Sequence, residues 1–394
     1  MDFRFSEEQD MVRDSARKLG RRWGPRMREL HEKTLDEGIF DPRLLADFAE
    51  TGFAGALIPE QYGGSGMGLT ALALAMEAMA VEGAGSAMIM LTQMNALCIL
   101  RAGPDELREK YLPPIAAGEM TMAFAITEPD AGSNSFRMSS VAERRGDDIV
   151  LNGTKTFITG VDVADKVLII ARSMPYEQRK AQKMPKTAGF NVVIVDPKAK
   201  GFSMTELPTR GIEGLKQWTL HFDDVVVDDV VGDEHMGIIP MFDVLNAERT
   251  LAASVALGLT ENLLNRAVEY AKDRKVFGDR AIGSYQAIQH PLAEVKAELE
   301  AVRLLFYKCA TMFDQGARPM EIGPYATMCK FLAGELAIKA ADHALQTFGG
   351  NGFSSEYGLI DSYVQARLLR TAPISREMVL NQVAEHVLGL PRSY

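Results

Sequence analysis

The spacing of apolar residues changes twice along this chain, and that succession restricts the possible folds more than any single motif does. Small and apolar residues dominate Ala71 to Ala80, and Met88, Met90, Leu91, Met94 and Leu97 continue in helical register. Pro59, Gly63-Gly64 and Pro113-Pro114 punctuate this segment. Short runs of strand type follow: Met122 to Ile126, Ile149 to Leu151, Thr156 to Thr159, Val167 to Ala171, Asn191 to Val195 and Thr219 to Phe222. Asn152-Gly153, between two of these runs, is a hairpin signal. From Gly237 helical spacing returns in three long patterns, Gly237 to Lys272, Gln286 to Phe313 and Pro324 to Phe348, the last closed by Gly349-Gly350. The expected fold is mainly α with a central β domain, divided at residues 1–120, 121–235 and 236–394. It is not the alternating βαβ of a doubly wound sheet, and no GxGxxG follows a strand.

Composition narrows the function classes. A net charge of −10, with no strong concentration of Lys and Arg, argues against nucleic acid as a partner. No apolar run approaches the ~20 residues that span a bilayer, and the charged stretch Met1 to Asp10 predicts no secretory signal. Cys98, Cys309 and Cys329 are scattered and form no CxxC pair, and the histidines lack ligand spacing. The reading is a cytoplasmic protein without a metal site. Arg179, Lys180, Lys183 and Lys186 read as a solvated basic loop between strands, with an anionic ligand as the alternative.

One residue breaks the helical pattern. Ile238, Met241, Leu245, Glu248, Ala252, Val255 and Leu259 alternate three and four apart, so they share one narrow stripe. A carboxylate on such a stripe is destabilising unless it is paired, protonated or in use, and burial raises its pKa toward that of a general base. An ion pair with Arg249, or a stripe facing a wet seam, is the other reading.

Two strand exits carry hydroxyls. Ala125-Ile126-Thr127-Glu128-Pro129-Asp130-Ala131-Gly132-Ser133-Asn134 can present N–H groups and the Thr127 and Ser133 hydroxyls to a polar ring or phosphate. Phe157-Ile158-Thr159 ends another strand with an aromatic wall and a hydroxyl. Together they resemble the acyl-CoA dehydrogenase family, whose signatures are similar to Ile126-Thr127-Glu128-Pro129 with Gly132-Ser133, and to Phe157-Ile158-Thr159. Arg274-Lys275-Val276-Phe277-Gly278 resembles its Arg-Lys-x-Phe-Gly, and Gln346 to Phe353 its Gln-x-x-Gly-Gly-x-Gly-Phe. The four motifs stand in family order across nearly the whole chain. Departures are Phe157 for the commoner Trp, Asn134 for Asp, Gly160 for Asn, and one extra residue between Phe277 and Gln286.

The resemblance implies a barrel-like middle domain, a C-terminal four-helix bundle, and FAD held between the subunits of a homotetramer. Phe124, Ile126, Thr127, Ser133, Phe157 and Thr159 would line the isoalloxazine, with Thr159 near flavin N5. Arg274, Phe277 and Gln286 would reach a neighbouring protomer's FAD, Gln346, Gly349 and Gly350 its pyrophosphate and adenosine part, and Ser375 would also touch cofactor. Arg274 offers a charge-assisted fork for phosphate. The Tyr-Glu-Gly-Thr position that carries the base in many relatives falls at Pro373, which cannot accept a proton. The branch similar to isovaleryl-CoA and long-chain enzymes places its base in a Glu-Arg pair on the long helix, and Glu248-Arg249 matches it.

The implied reaction is α,β-dehydrogenation of an acyl-CoA. Glu248 takes the α-proton, the β-hydrogen leaves as hydride to flavin N5, and a trans-2-enoyl-CoA results. A backbone N–H of the base-bearing segment and a ribityl hydroxyl would steady the thioester oxygen. Ser133, Asn246 and Arg249 would hold substrate, and an electron-transfer flavoprotein would take the electrons. Pro373 in place of the bulky Tyr-Glu leaves room for a branched or wide acyl group. A flavin monooxygenase or oxidase, or a non-catalytic assembly flavoprotein, are the alternatives on this scaffold.

Overall fold

The computed structural model describes residues 4–34, 40–209 and 215–393. Among the described residues, five α-helices come first: α1 (Glu7–Thr34), α2 (Arg43–Glu50), α3 (Gly68–Val81), α4 (Ala87–Ala102) and α5 (Asp105–Ala116). Helix α3 is apolar on all faces apart from Thr70 and Glu77, and nearly every residue in it is buried, as expected of a helix wrapped by others. Strands β1 (Met122–Ala125), β2 (Val141–Arg145), β3 (Asp148–Thr159) and β4 (Lys166–Arg172) follow. A short helix, α6 (Tyr176–Ala181), precedes β5 (Phe190–Val195), β6 (Phe202–Leu207), β7 (Gln217–Val226) and β8 (Asp229–Val230). The long helices are α7 (Ile238–Asp273), α8 (Gln286–Asp314) and α9 (Pro319–Phe348). A small hairpin, β9 (Lys275–Val276) and β10 (Arg280–Ala281), joins the first two, and α10 (Leu359–Leu368) and α11 (Arg376–Gln382) close the chain.

The sheet runs β6-β7-β3-β2-β4-β5-β8, with β1 parallel to β4. Alternation sorts its side chains between two cores. Val167, Ile169 and Ala171 of β4 meet Val193 and Val195 of β5 and Leu220 and Phe222 of β7 in a core the sheet makes with itself. The intervening Leu168, Ile170, Val192 and Ile194 join the helices. The sheet is thus barrel-like around its own core, although its outer strands β6 and β8 do not pair with each other. The helices before and after the sheet share one core, so the C-terminal bundle is not self-contained: α3 packs on α7 and α8. Arg303 of α8 fastens that junction, its Nε 2.7 Å from Glu77 of α3 and a second nitrogen on Glu261 of α7.

Two local expectations are corrected. Asn152-Gly153 is no hairpin; it lies inside β3, and the turn is Gly146-Asp147, between the paired Arg145 and Asp148. Gly153 is glycine because the ladder slips a register there and a Cβ would sit 2.4–2.7 Å from Ser140. Asn152 instead clamps β7, its Nδ2 donating to Asp224 Oδ1 at 2.9 Å and its Oδ1 accepting from Asp224 N at 2.9 Å. The basic segment is not a plain solvated loop either. It begins in α6, and Arg179 is buried with Nη1 donating to the Met184 carbonyl at 2.6 Å.

Candidate active site

Glu248 lies inside α7, only 7% exposed, with no hydrogen bond or salt bridge among the described residues. Burial pushes its carboxyl up to about 7, against the pull of Arg249 and Lys330. The ion pair with Arg249, the alternative reading of this residue, does not form within salt-bridge distance. Arg249 turns back one helical turn, and its Nη1 donates to Asn246 Oδ1 at 3.0 Å. Asn246 is buried, and its Nδ2 donates to the Pro319 carbonyl at 3.0 Å. Both ends of that amide are therefore engaged in orienting Arg249.

Facing Glu248 from α9 is a buried lysine that the sequence reading passed over. Lys330 donates from Nζ to the Ile374 carbonyl, in the segment holding Pro373, and burial lowers its pKa to about 8. The signal existed: Ala326, Lys330, Ala333, Ala337, Ala340 and Ala344 repeat the same three-four spacing. The lysine interrupts an otherwise small, apolar stripe on α9 as Glu248 does on α7.

The two hydroxyl-bearing segments meet across β3. Lys155 Nζ donates to the Ile126 carbonyl at 3.0 Å and to Glu128 Oε1 at 2.8 Å, and Thr156 N donates to the Thr127 carbonyl at 2.9 Å. Burial alone would raise Glu128; the Lys155 charge and the donors of Ser139 and Ser140 outweigh it and hold the carboxyl at about 2. Beyond this clamp Phe157 stands 60% exposed with φ +57, an uncommon backbone for a bulky residue. The Thr159 hydroxyl donates to Gln217 Oε1 at 2.9 Å, leaving its oxygen free to accept. Gln217 is a second residue that sequence reasoning missed, since only the β3–β7 pairing brings it there. Ser133 is exposed, Ile126 and Thr127 are half-buried, and Phe124 is buried in the main core. No atom comes within 4 Å of a Cβ built at Gly132, which leaves open space beside the loop. An exposed aromatic wall, free hydroxyls and that space fit a planar, hydrogen-bonding ring.

The start of α4 and the turn before it lie between this wall and the Glu248 stripe. A Cβ at Gly160 would meet Met88 Sδ at 3.2 Å, and one at Gly85 would meet Val255 Cγ1 at 3.4 Å, two turns along the Glu248 stripe. The other predicted residues lie elsewhere. Arg274 caps the end of α7, Phe277 is 95% exposed with φ +50, Gln286 opens α8, and Gln346, Gly349 and Gly350 are exposed at the end of α9. Tyr270 stacked on Phe348 at 4.0 Å, and bonded to Asn351 at 2.9 Å, holds the two ends together. Ser375 caps α11, its hydroxyl accepting from Met378 N at 3.3 Å.

Comparison with known proteins decides the family. The acyl-CoA dehydrogenase N-terminal domain matches residues 6–119, the middle domain 123–225 and the C-terminal domain 235–388. The chain belongs to the acyl-CoA dehydrogenase family. The chain is 41% identical to acyl-CoA dehydrogenase FadE12 of Mycobacterium tuberculosis over 397 aligned positions, 99% of this chain and 98% of that protein. Butyryl-CoA dehydrogenase from Megasphaera elsdenii superposes with a TM-score of 0.90 at 28% identity, over 98% of this chain and all of that one. The FAD complex of PigA does so at 0.88 and 27%, over 99% of this chain and all of that one. This acyl-CoA dehydrogenase family protein is a flavoprotein oxidoreductase, and FAD is its cofactor. Among the described residues, no helix is long and apolar enough to cross a membrane.

Proposed function

We propose that Glu248 is the base that removes the α-proton of an acyl-CoA thioester, giving a trans-2-enoyl-CoA. Its burial without a hydrogen-bond partner carries the reading: a carboxyl kept near neutrality on an apolar stripe is poised to take a proton rather than to hold structure. Bound FAD supplies the acceptor for the β-hydrogen and its electron pair. Phe157 walls the ring and Thr159, steadied by Gln217, offers it an oxygen. Arg249 holds the CoA chain, Asn246 sets its position and Ser133 contacts both ligands. A donor to the thioester oxygen does not come from the helix that carries Glu248, because N–H groups inside α7 bond carbonyls four residues back. The N–H groups of Ile374 and Ser375 have no partner among the described residues, and Lys330 anchors their segment. We assign that task to them.

Pro373 stands where many relatives carry a larger side chain, which favours a branched or wide acyl group. An anaerobic titration of the holoenzyme with straight, branched and cyclic acyl-CoAs tests both points. Flavin bleaching is expected, steepest with the wide chains. A medium straight chain winning clearly would reject the width argument, and no bleaching with any thioester would reject the reaction. Rapid oxygen use by the reduced flavin would instead mark an oxidase.

The assembly we assign is a cytoplasmic homotetramer, a dimer of dimers that passes electrons to an electron-transfer flavoprotein. Twenty-six residues, about 39 Å of helix, separate Glu248 from Arg274, more than one FAD can bridge. Arg274, Phe277 and Gln346 therefore serve a neighbour's cofactor. Arg274→Ala should weaken FAD binding by about one to two orders of magnitude, because a hydrogen bond to a charged group contributes ~1.5–3 kcal/mol. Flavin retention on serial dilution, followed by fluorescence, measures it; wild-type retention would make Arg274 an ordinary solvated cation.

A further inference from the structure

One extra residue on β3 shapes the corner beside the exposed Phe157. Strands β3 and β7 pair Lys155 with Leu220 and next Ile158 with Trp218, so three steps on one strand answer two on the other. Such a bulge re-aims the side chains around it. Phe157 takes the positive φ and turns outward, and Thr159 comes to stand directly opposite Gln217. Facing residues of an antiparallel pair point to the same side of the sheet. Gly160 N then donates to the Lys216 carbonyl at 2.9 Å. Leu215 and Met88 close over Gly160, where a Cβ would meet them at 3.4 and 3.2 Å.

This corner fixes the direction of two hydrogen bonds. Gln217 is 5% exposed, and its Nε2 donates to the Leu215 carbonyl at 3.2 Å. A carbonyl only accepts, so turning the amide over would set two oxygens against each other. Oε1 is therefore the atom that meets the Thr159 hydroxyl, at 2.9 Å. An amide oxygen also only accepts, and a hydroxyl has one proton, so that proton is committed to Gln217. Swinging it away would strand a buried amide oxygen without a donor. Among the described residues no donor reaches the Thr159 oxygen. Toward a ligand, Thr159 is an acceptor only.

An oxygen of that kind discriminates between the two states of a flavin. The ring nitrogen that receives hydride is a bare lone pair in oxidised FAD and an N–H in reduced FAD. A hydroxyl free to turn could serve both, donating to the first and accepting from the second. The hydroxyl held by Gln217 opposes the first and bonds the second.

We propose that Gln217 is a positioning residue that commits the Thr159 hydroxyl as an acceptor and thereby raises the reduction potential of bound FAD. It acts through Thr159 and needs no contact of its own with the cofactor. The inference rests on the reading above in which Thr159 offers its oxygen to the ring, here at the nitrogen that receives hydride. The test separates the two.

Midpoint potentials of the holoenzymes are measured by anaerobic titration against a reference dye, for wild type, Gln217→Met, Thr159→Val and the double variant. Methionine keeps the length of the side chain and fills the space without an amide. Gln217→Leu is measured alongside it, and melting temperature and flavin content show whether either packs badly. In both Gln217 variants the freed hydroxyl can donate to the bare nitrogen. The ratio of reduced to oxidised cofactor at a given potential should then fall about tenfold, a shift of about 30 mV for a two-electron couple. Thr159→Val, which removes the acceptor, should also lower the potential, and adding Gln217→Met to it should change nothing more. Unchanged potentials in both Gln217 variants, beside a lowered one in Thr159→Val, would overturn the role of Gln217 and leave Thr159 at the ring. A drop that Gln217→Met produces equally in the Thr159→Val background would overturn it too, because the effect would not pass through the hydroxyl. Potentials unmoved by every substitution would take Thr159 away from the ring nitrogen, and the inference with it.

Discussion

Glu248→Gln should abolish substrate-dependent flavin reduction while leaving FAD and acyl-CoA bound. Glutamine keeps the volume and cannot take a proton, so only the chemical step fails. General-base removal lowers rates by ~10²–10⁴, and an unactivated α-carbon puts the loss toward the upper end. In the wild type, kcat/KM should rise as pH increases through about 7, where burial sets the Glu248 carboxyl against Arg249 of its own helix and Lys330 of α9. Unfolding cannot account for the loss. An acid whose folded pKa is raised binds protons more tightly when folded, so stability falls with pH between its ordinary 4.5 and about 7. Above that window the glutamine variant should be the more stable protein, by about 3 kcal/mol. Glu377, the next acid after Pro373, is exposed and lies 3.9 Å from Arg376. Rapid bleaching in Glu248→Gln, with bleaching lost in Glu377→Gln, would move the base to the C-terminal segment.

Lys155→Met should be the most damaging change outside the base. It leaves Glu128 buried with two backbone donors but no counter-charge, and breaking a buried pair from one side costs ~3–5 kcal/mol. The loop from Ile126 to Ser140 would loosen, releasing FAD as well as lowering the melting temperature. Adding Glu128→Gln should recover part of the loss, since a neutral amide is cheaper to bury than a lone carboxylate. In the wild type the contribution of ionised Glu128 is present above pH 4.5 and fades as pH falls toward about 2, while burial, which pulls Lys155 down to about 8, undoes the pair from the alkaline side. A Lys155→Met protein with wild-type melting and flavin content would show the pair to be dispensable.

The long helices were legible because period and burial agree there: α7 begins and ends within a residue of its expected bounds, and its acid was visible as an interruption in one stripe. The sheet was harder to read. Strand β2 is rich in charge, and β6 is a largely exposed edge, so neither shows the alternation that marks a half-buried strand. Asn152-Gly153 has turn composition, yet glycine there answers a backbone approach from Ser140 that only the paired strands create. Gln217 shares that character: it is ordinary in sequence and acquires a partner only when distant segments meet. Arg274, Gln286 and Gln346 were reached through family resemblance alone, since a solvated cation or amide at a helix end carries no periodic signal.

Helix α7 runs unbroken from Ile238 to Asp273, with the proposed base near one end and Arg274, the proposed phosphate clamp for a neighbour's FAD, just past the other. In the proposed assembly one rod would therefore fix the phase between two active sites. A single inserted residue would swing Arg274 by about 100° around the axis and advance it ~1.5 Å. Seven would bring it back to nearly the same face but about 10 Å too far along. No insertion or deletion between Glu248 and Arg274 keeps both angle and distance. Surface loops elsewhere can lengthen without disturbing the chemistry, whereas in the proposed assembly, where one protomer's helix sets the geometry of the next protomer's cofactor, the length of this segment would be locked.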